Sequence, residues 1–407
     1  MLERIRFRSW WQVPRRANTE DEEERTVSFL ELFYDLVYVA IIAQLSHALA
    51  AHVSFADMGI FVFLFAIVWW AWLNGTMYHD FHGNNDIRTR IFTFMQMFTV
   101  AAMAVFAHNA MGDGSTGFAL SFAAFQLILC YLWWRTGVHD PDHRPLSVPY
   151  TIVFLLTTIL FVVSIFVPAP WRFYIWVIAI VLDLVVPQLN LLRSDERVRR
   201  EVSLIRITPS AVERFGLFTI IVLGEVIIGV VNGLAEHHHL TWEAGIIAAL
   251  GMMIAFGLWW VYFDFASRRD PKQTMGSMMS WMFLHLPVAT GITATGAAIL
   301  NVVEHAGEPL PGDVRWLLVG AVGITLICIA MIIQTIDYRA TIRPYVMRGS
   351  YLLIVFGLLT AGLGFTQLNT IAMLVALVAM LLTPVLYGVL VWIKFVDAQS
   401  MQDTPNE

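Results

Sequence analysis

Twelve apolar stretches run through this 407-residue chain between residues 28 and 395. Each is about 20 to 28 residues long, and a helix of about 20 residues crosses the hydrocarbon core of a bilayer. Because a backbone in lipid must satisfy its own hydrogen bonds, stretches of this kind form helices. Charged residues are only 14% of the chain, whereas a soluble protein has about 25%. The sequence therefore predicts an all-α polytopic membrane protein with about twelve transmembrane helices.

The basic residues predict how these helices are oriented. Of the 25 lysines and arginines, all but Arg172, Arg214 and Arg315 lie in or beside alternate connections, on one side of the predicted membrane. Cytoplasmic connections carry such an excess of positive charge. Both termini are therefore predicted to be cytoplasmic, with a basic segment over residues 1–26 and a tail over residues 396–407. The basic segment could lie on an anionic lipid surface or be a disordered tail.

The two halves of the chain look like copies of each other. Four landmarks recur in the same order: a Ser-x-x-Glu motif, an aromatic cluster with paired tryptophans, a Phe-x-Gln/His-x motif and a late proline. They lie at 28–33 and 210–215, 69–72 and 259–262, 94–97 and 283–286, and at Pro187 and Pro384. We predict two six-helix repeats, 27–192 and 210–395, joined by a cytoplasmic linker at 193–209. Since six is an even number of spans, the repeats should be parallel, as in many transporters.

The same motifs resemble those of a known family. The stretches FLELFYDLVYVAIIAQLS at 29–46 and ERFGLFTIIVLGE at 213–225, together with WWVY at 259–262 and LHLP at 284–287, are similar to the bacterial low temperature requirement A family. The resemblance covers nearly the whole chain. It implies a multipass membrane protein linked to growth at low temperature, and it implies no particular biochemical activity.

Carboxylates stand near the start of the first and seventh stretches. Glu31 and Glu213 each end a Ser-x-x-Glu motif, whose capping-box spacing predicts that they stabilise helix ends. Asp35 follows Glu31 by one helical turn, so these two carboxylates could bind a cation or share a proton. A salt bridge from Asp35 to Arg214 or Arg90 is the simpler alternative.

Three ionisable residues, Glu225, His285 and Asp183, are predicted to lie near the middle of the bilayer. Glu225 lies 12 residues past the preceding glutamate, or about 18 Å, and His285 lies about 15 Å into its own stretch, so we expect the two to pair. Gln44 and Gln96 have similar positions in the first half. Charged groups are costly in hydrocarbon, so this set is a candidate for proton handling and transport. The alternative is a set of static hydrogen bonds between helices.

Other clusters carry weaker signals. The cluster at 78–82 contains two histidines and one aspartate, which is too few ligands to predict a metal site, and we expect a solvated loop. Tryptophans gather near the predicted cytoplasmic ends of the stretches, as in an interfacial belt. They are Trp69, Trp70, Trp72, Trp133, Trp134, Trp259, Trp260 and Trp392. We predict no metal and no other cofactor.

These features favour a secondary transporter, in which midplane carboxylate and histidine groups could couple transport to protons. No phosphate-binding Gly-rich motif indicates direct use of ATP. A proton or cation channel is one alternative. An intramembrane enzyme that modifies lipid is another, and it is less favoured because no clear nucleophile accompanies the ionisable groups. The predicted partners are the lipid bilayer and an unidentified small molecule or ion, without nucleic acid, and the predicted location is the bacterial plasma membrane. The sequence indicates neither the substrate nor the oligomeric state.

Overall fold

The structure, a computed structural model, describes Pro14 and residues 27–84, 86–193, 207–237, 241–267 and 269–402, without the side chains of 188, 190–193 and 395–402. These residues form twelve α-helices, and the β contact found among them is an isolated bridge between Pro271 and Ile336. The helices are α1 Phe29–Ala51, α2 Phe55–His82, α3 Ile87–Ala107, α4 Ser115–His139, α5 Arg144–Ser164, α6 Trp171–Arg193, α7 Pro209–Ala235, α8 Trp242–Phe265, α9 Met275–Glu304, α10 Gly312–Thr335, α11 Arg343–Leu363 and α12 Thr370–Gln402.

The helices have the length and the apolar surface of membrane spans. Within the described part of the chain, eleven of them, all except α6, are long and apolar enough to cross a bilayer. Large apolar side chains also face outward, since Trp242, Phe166 and Phe98 are 91%, 82% and 78% exposed. A surface of this kind suits contact with lipid and not with water. The prediction of an all-α polytopic membrane protein is confirmed.

Side-chain caps and prolines mark the starts of several helices. Asp86, Thr241 and Thr274 precede α3, α8 and α9, and each accepts a hydrogen bond from a backbone N–H of the first turn. These bonds satisfy amides that have no partner within the helix. Pro145 and Pro344 lie in the first turns of α5 and α11, where the missing N–H has no intrahelical partner to lose.

Among the described residues, four prolines lie beyond the first turn of a helix and interrupt its backbone hydrogen bonds. They are Pro149 in α5, Pro187 in α6, Pro287 in α9 and Pro384 in α12. Each proline lacks the N–H that would bond to the carbonyl four residues earlier. In a membrane helix, neighbouring helices and hydroxyl side chains can compensate for that loss.

The chain divides into two compact units. The first contains the residues up to Ala48 together with Ile60–Arg214, and the second contains Leu49–Gly59 and Phe215–Glu407. In the first unit, α3 packs on α4, α4 on α5 and α5 on α6. In the second unit, α9 packs on α10, α10 on α11 and α11 on α12, while α8 contacts α9, α10 and α12. Each unit therefore has its own set of packed neighbouring helices.

Two glycines bring α7 and α9 together in the second unit. A Cβ placed on Gly296 would lie 2.8 Å from the carbonyl carbon of Glu225 and 3.0 Å from the amide nitrogen of Val226. A Cβ placed on Gly229 would lie 2.6 Å from the carbonyl oxygen of Gly296. The obstructing atoms belong to backbone, so they cannot rotate away. Small residues permit this close approach of helices in membranes, where dispersion contacts drive packing.

The segment at 78–82 is a buried end of α2. The predicted solvated loop is therefore wrong. Tyr78, His79 and His82 are each less than 5% exposed, and the hydroxyl of Tyr78 donates to the carbonyl oxygen of Leu132. The helix continues past the apolar stretch because Leu132 of α4, Gln96 of α3 and Thr208 supply hydrogen-bond partners for Tyr78, His79 and Asp80 in its last two turns.

Parts of the predicted cytoplasmic segments cannot be compared with the structure. Residues 1–26 lie outside the described residues apart from Pro14. The same holds for residues 194–206 of the predicted linker and residues 403–407 of the predicted tail. The orientation of the termini stays a prediction from the charge distribution.

The contact between Gly296 and α7 leads to a prediction about the free energy of unfolding. Replacing Gly296 with alanine should lower the free energy of unfolding by about 1–3 kcal/mol, because the added methyl group forces two backbones apart. Gly320 is a matched control within α10, since a Cβ there meets nothing within 4 Å. Gly320→Ala should be neutral or slightly stabilising. Thermal unfolding in detergent micelles measures both variants, and equal stabilities would contradict the packing of α7 on α9.

Candidate functional site

An ion pair between Asp35 and Arg214 lies inside the first unit. Arg214 is 0% exposed and Asp35 is 1% exposed. The Nη2 and Nε groups of Arg214 donate to the two oxygens of Asp35 at 2.6 and 3.1 Å. Oδ1 of Asp35 also accepts the indole N–H of Trp72 at 2.8 Å. A bidentate pair with further hydrogen bonds is the geometry in which two charges tolerate removal from water. Arg214 and Arg90 are the two partners predicted for Asp35, and Asp35 pairs with Arg214.

Glu31 caps α1 and lies beside the same arginine. Its Oε2 accepts hydrogen bonds from the amide and the hydroxyl of Ser28, both at 2.9 Å, and the Ser28 hydroxyl accepts the Glu31 amide at 3.3 Å. These are the contacts of the capping box that the spacing predicts. Oε1 of Glu31 lies 3.9 Å from Nη1 of Arg214. Two carboxylates therefore flank one buried guanidinium.

The matching motif at the start of α7 does not form a capping box. The helix begins at Pro209, so the cap is Thr208, whose hydroxyl accepts the amide of Ala211 at 3.0 Å. Ser210 falls within the first turn, and Glu213 is exposed. The predicted cap at Glu213 is wrong because the helix starts two residues before the position that the motif requires. The Thr208 hydroxyl instead donates to Asp80 at the end of α2, 2.8 Å from each carboxylate oxygen.

A row of buried polar side chains continues from the ion pair. The guanidinium carbon of Arg214 lies 5.5 Å from the ring centroid of Tyr34, and the Tyr34 and Tyr38 hydroxyls are 2.9 Å apart. The Tyr34 ring contacts the His79 ring edge-on at 5.9 Å. Nε2 of His79 in turn lies 3.0 Å from Oε1 of Gln96. Gln96 is thus placed with a histidine of the same unit, a partner that the sequence did not suggest.

Asp183 lies near the centre of α6 among three neutral donors. Oδ2 accepts the indole N–H of Trp70 at 3.1 Å and the amide N–H of Gln126, and Oδ1 accepts the hydroxyl of Thr157. The donors come from α2, α4 and α5. Asp183 is 1% exposed, and it makes no salt bridge among the described residues. One carboxylate therefore connects four helices of the first unit.

His285 is hydrogen-bonded at both ring nitrogens in the second unit. Nδ1 lies 2.7 Å from the carbonyl oxygen of Trp281, and Nε2 lies 3.0 Å from the hydroxyl of Tyr262. A carbonyl only accepts, so Nδ1 carries a proton, and Nε2 accepts from Tyr262 when the ring is neutral. The ring of Phe215 packs against the imidazole at 4.8 Å.

The expected pair of Glu225 and His285 is not formed. Phe215 contacts His285, whereas Glu225 contacts Gly296, eleven residues farther along α9. This separates the two levels by about 16 Å at 1.5 Å per residue. Because α7 begins at Pro209, four residues before Glu213, Glu225 lies about 24 Å from the start of its helix and not about 18 Å. Glu225 is buried at 2% exposure, whereas Gln44 is exposed, so Gln44 does not match it.

The sequence did not identify the partners of these carboxylates. Trp70 and Trp72 were assigned to an interfacial belt, but their indole N–H groups point to Asp183 and Asp35 inside the first unit. The corresponding Trp260 is 41% exposed, as a belt requires. A signal was available, because tryptophan can only donate and so suits an acid buried at the same depth. No signal identified Thr157, whose hydroxyl could equally have bonded to its own helix.

The polar groups described above are buried inside the two units and are held by hydrogen bonds. Among the described residues, no group of three or more His, Cys, Asp or Glu side chains is placed to hold a metal ion. The structure brings Glu31, Asp35 and Arg214 together, and the row of buried side chains that continues from this ion pair reaches Gln96. Asp183 and His285 have other partners, so these residues form three groups and not one cluster.

The ion pair of Asp35 and Arg214 leads to a prediction about the free energy of unfolding. Asp35→Asn should lower the free energy of unfolding by about 3–5 kcal/mol, because it leaves the Arg214 charge buried without its bidentate partner. The double variant Asp35→Leu with Arg214→Met should be less destabilised than Asp35→Asn, since it removes both charges. Glu213→Gln is a matched control on an exposed carboxylate and should change stability by about 0.5 kcal/mol or less. Unfolding in detergent tests this; a stable Asp35→Asn variant would contradict it.

Comparison with known proteins agrees with the described fold. The model of the family "Bacterial low temperature requirement A protein (LtrA)" matches residues 26–392. An uncharacterized protein of Rhizobium meliloti (strain 1021) is 25% identical over 297 residues, which cover 68% of this chain and 69% of that protein. The family match spans nearly all of the described helices, including those that carry Asp35, Asp183, Arg214, Glu225 and His285. The chain belongs to the bacterial low temperature requirement A family.

Proposed function

We propose that this protein is a secondary transporter of the bacterial plasma membrane, in which Asp183 binds and releases a proton during transport. The observation that carries the proposal is the carboxylate near the middle of α6, held by side chains of three other helices. An ionisable group at this depth is costly and is usually retained for a function. The substrate is an unidentified small molecule or ion.

The surroundings of Asp183 suit both protonation states of the carboxyl group. The Thr157 hydroxyl has one proton and two acceptors within reach, namely Asp183 and the carbonyl oxygen of Val153 at 2.7 Å. When Asp183 is charged, Thr157 donates to it. When Asp183 is protonated on Oδ1, it can donate to Thr157, whose proton then turns to Val153. Trp70 and Gln126 donate to the other oxygen in either state.

Protonation at this position would alter contacts between helices. A hydrogen bond to a charged acceptor is stronger than a bond to a neutral one, so neutralising Asp183 weakens the contacts of α6 with α2, α4 and α5. A ligand or proton shifts a conformational equilibrium when it binds the two states differently. This gives a physical route from proton binding to helix rearrangement, which alternating access requires.

The internal repeat and the other polar groups belong to the same proposal. The packing order α3–α4–α5–α6 in the first unit recurs as α9–α10–α11–α12 in the second, and Arg-Pro begins both α5 and α11. This supports two parallel repeats, with Glu225 as the midspan carboxylate of the second. Gln96 and His285 are proposed to take part through their partners His79 and Tyr262. Gln44, on an exposed surface, has the weakest support.

Proton binding can be tested without knowing the substrate. Infrared difference spectra of the purified protein in lipid, recorded between acidic and neutral pH, should contain a carboxylic acid C=O band that is lost in Asp183→Asn. Glu213→Gln, which changes an exposed carboxylate, should keep that band. If Asp183→Asn keeps the whole signal, Asp183 is not the proton-binding group.

Transport is tested in liposomes and in cells. Liposomes with an internal pH dye should take up protons under a membrane potential, and Asp183→Asn should abolish the uptake while Glu213→Gln retains it. Because the family is described by a low temperature requirement, growth of a deletion strain in the cold gives a second readout. Glu213→Gln should restore growth and Asp183→Asn should not. Equal uptake and equal growth with both variants would remove Asp183 from the mechanism.

A further inference from the structure

A groove of about 740 Å³ opens at one end of the second unit, where α8 ends and α11 begins. Its walls come from the last turns of α8, the first turn of α11 and the second half of α12. Its lining includes Trp259, Phe263, Asp264, Arg269, Tyr345 and Trp392. This end of the helices carries the basic connections and is the one that the charge distribution places in the cytoplasm.

The walls of the groove are largely aromatic and apolar. Trp259 is 47% exposed and Trp392 is 66% exposed, and the Trp259 ring stacks on Phe263 at 5.2 Å. Trp259 lies six residues before the end of α8, or about 9 Å below it at 1.5 Å per residue. A surface at that depth meets the upper part of an acyl chain, and aromatic rings are favoured there.

The rim of the groove is positively charged. Nζ of Lys394 donates to the Tyr345 hydroxyl at 2.9 Å and lies 4.8 Å from the Tyr345 ring centroid. The guanidinium carbon of Arg348 lies 5.8 Å from the same centroid. Neither cation makes a salt bridge to a carboxylate in the described part of the chain. Two like charges beside one ring repel each other, and an anion between them would relieve that repulsion.

The acidic group of the groove does not cancel this charge. Asp264 is the carboxylate among the lining residues, and its Oδ2 accepts the indole N–H of Trp260 at 2.6 Å. Arg269 adds a third cation at the lining, 5.0 Å from the ring of Tyr338. Among the described side chains, the groove and its rim therefore combine three cations and one carboxylate with aromatic walls.

We propose that this groove is a binding site for one anionic phospholipid. The phosphate group lies between Arg348 and Lys394, and an acyl chain lies along Trp259 and Trp392. The charge of the rim favours an anionic headgroup over a zwitterionic one, because each basic residue near an anionic lipid contributes to attraction. The apolar walls favour a lipid over a free phosphate ion, which would leave them uncovered. This inference does not depend on the proposed transport function.

Native mass spectrometry of the purified protein tests the site. Detergent-solubilised protein is mixed with phosphatidylglycerol or with phosphatidylcholine of the same acyl chains, and bound lipid is counted. The unmodified protein should bind the first lipid tighter by roughly 10- to 30-fold. The double variant Arg348→Gln with Lys394→Gln should lose this preference. Trp392→Ala should weaken binding of both lipids.

A control variant removes two positive charges from the same end of the second unit without changing the groove. Arg339 and Arg343 are exposed and do not flank the Tyr345 ring as Arg348 and Lys394 do, so Arg339→Gln with Arg343→Gln should keep the preference. Size-exclusion chromatography checks that each variant is folded. The proposal is overturned if the groove variant keeps the preference, if the control loses it equally, or if inorganic phosphate displaces the lipid fully. A change in oligomeric state without any change in lipid binding would instead indicate an interface between copies and would also overturn it.

Discussion

A charge in hydrocarbon is stable only beside a partner that replaces its hydration, and this requirement organises the first unit. Arg214 is completely buried, and it is bonded to Asp35, approached by Glu31 and placed over the ring of Tyr34. Trp72 supplies one more donor from α2. Because none of these groups can be satisfied alone, the helices that carry them must be positioned together. The polar residues fix which helices meet, whereas the apolar ones only ensure that they lie in the membrane.

Much of the fold could be predicted from the sequence, because hydrophobicity and length report directly on membrane spans. The helices agree closely with the apolar stretches, and Glu31 makes the bonds that its motif predicts. The end of α2 could not be predicted in this way. His79 and His82 look solvated by composition, but His79 is bonded to Gln96 of α3 and His82 packs on Trp133 of α4, so both are buried. The Ser-x-x-Glu motif forms a capping box only when the helix begins directly after the serine. Because α7 begins before Ser210, Glu213 does not form that cap.

The site was less predictable, because depth along a helix depends on where the helix starts and on how two helices pass each other. Glu225 and His285 were each placed near the midplane, but the contacts of Gly296 and Phe215 separate their levels. Asp183 was placed correctly within its helix, yet its donors come from residues far away in sequence. The two halves also differ in character. The first unit holds an Asp–Arg ion pair, whereas the second holds a histidine bonded to a tyrosine and the buried carboxylate of Glu225.

Pro287 removes one backbone hydrogen bond from α9 close to His285. Pro287 follows His285 by two residues and has no amide hydrogen for the carbonyl of Phe283. The glycine contact with α7 lies farther along, at Gly296. α9 therefore contacts α7 on both sides of the missing hydrogen bond, through His285 before Pro287 and through Gly296 after it. A bend at Pro287 would move the imidazole relative to Phe215 while leaving the glycine contact in place.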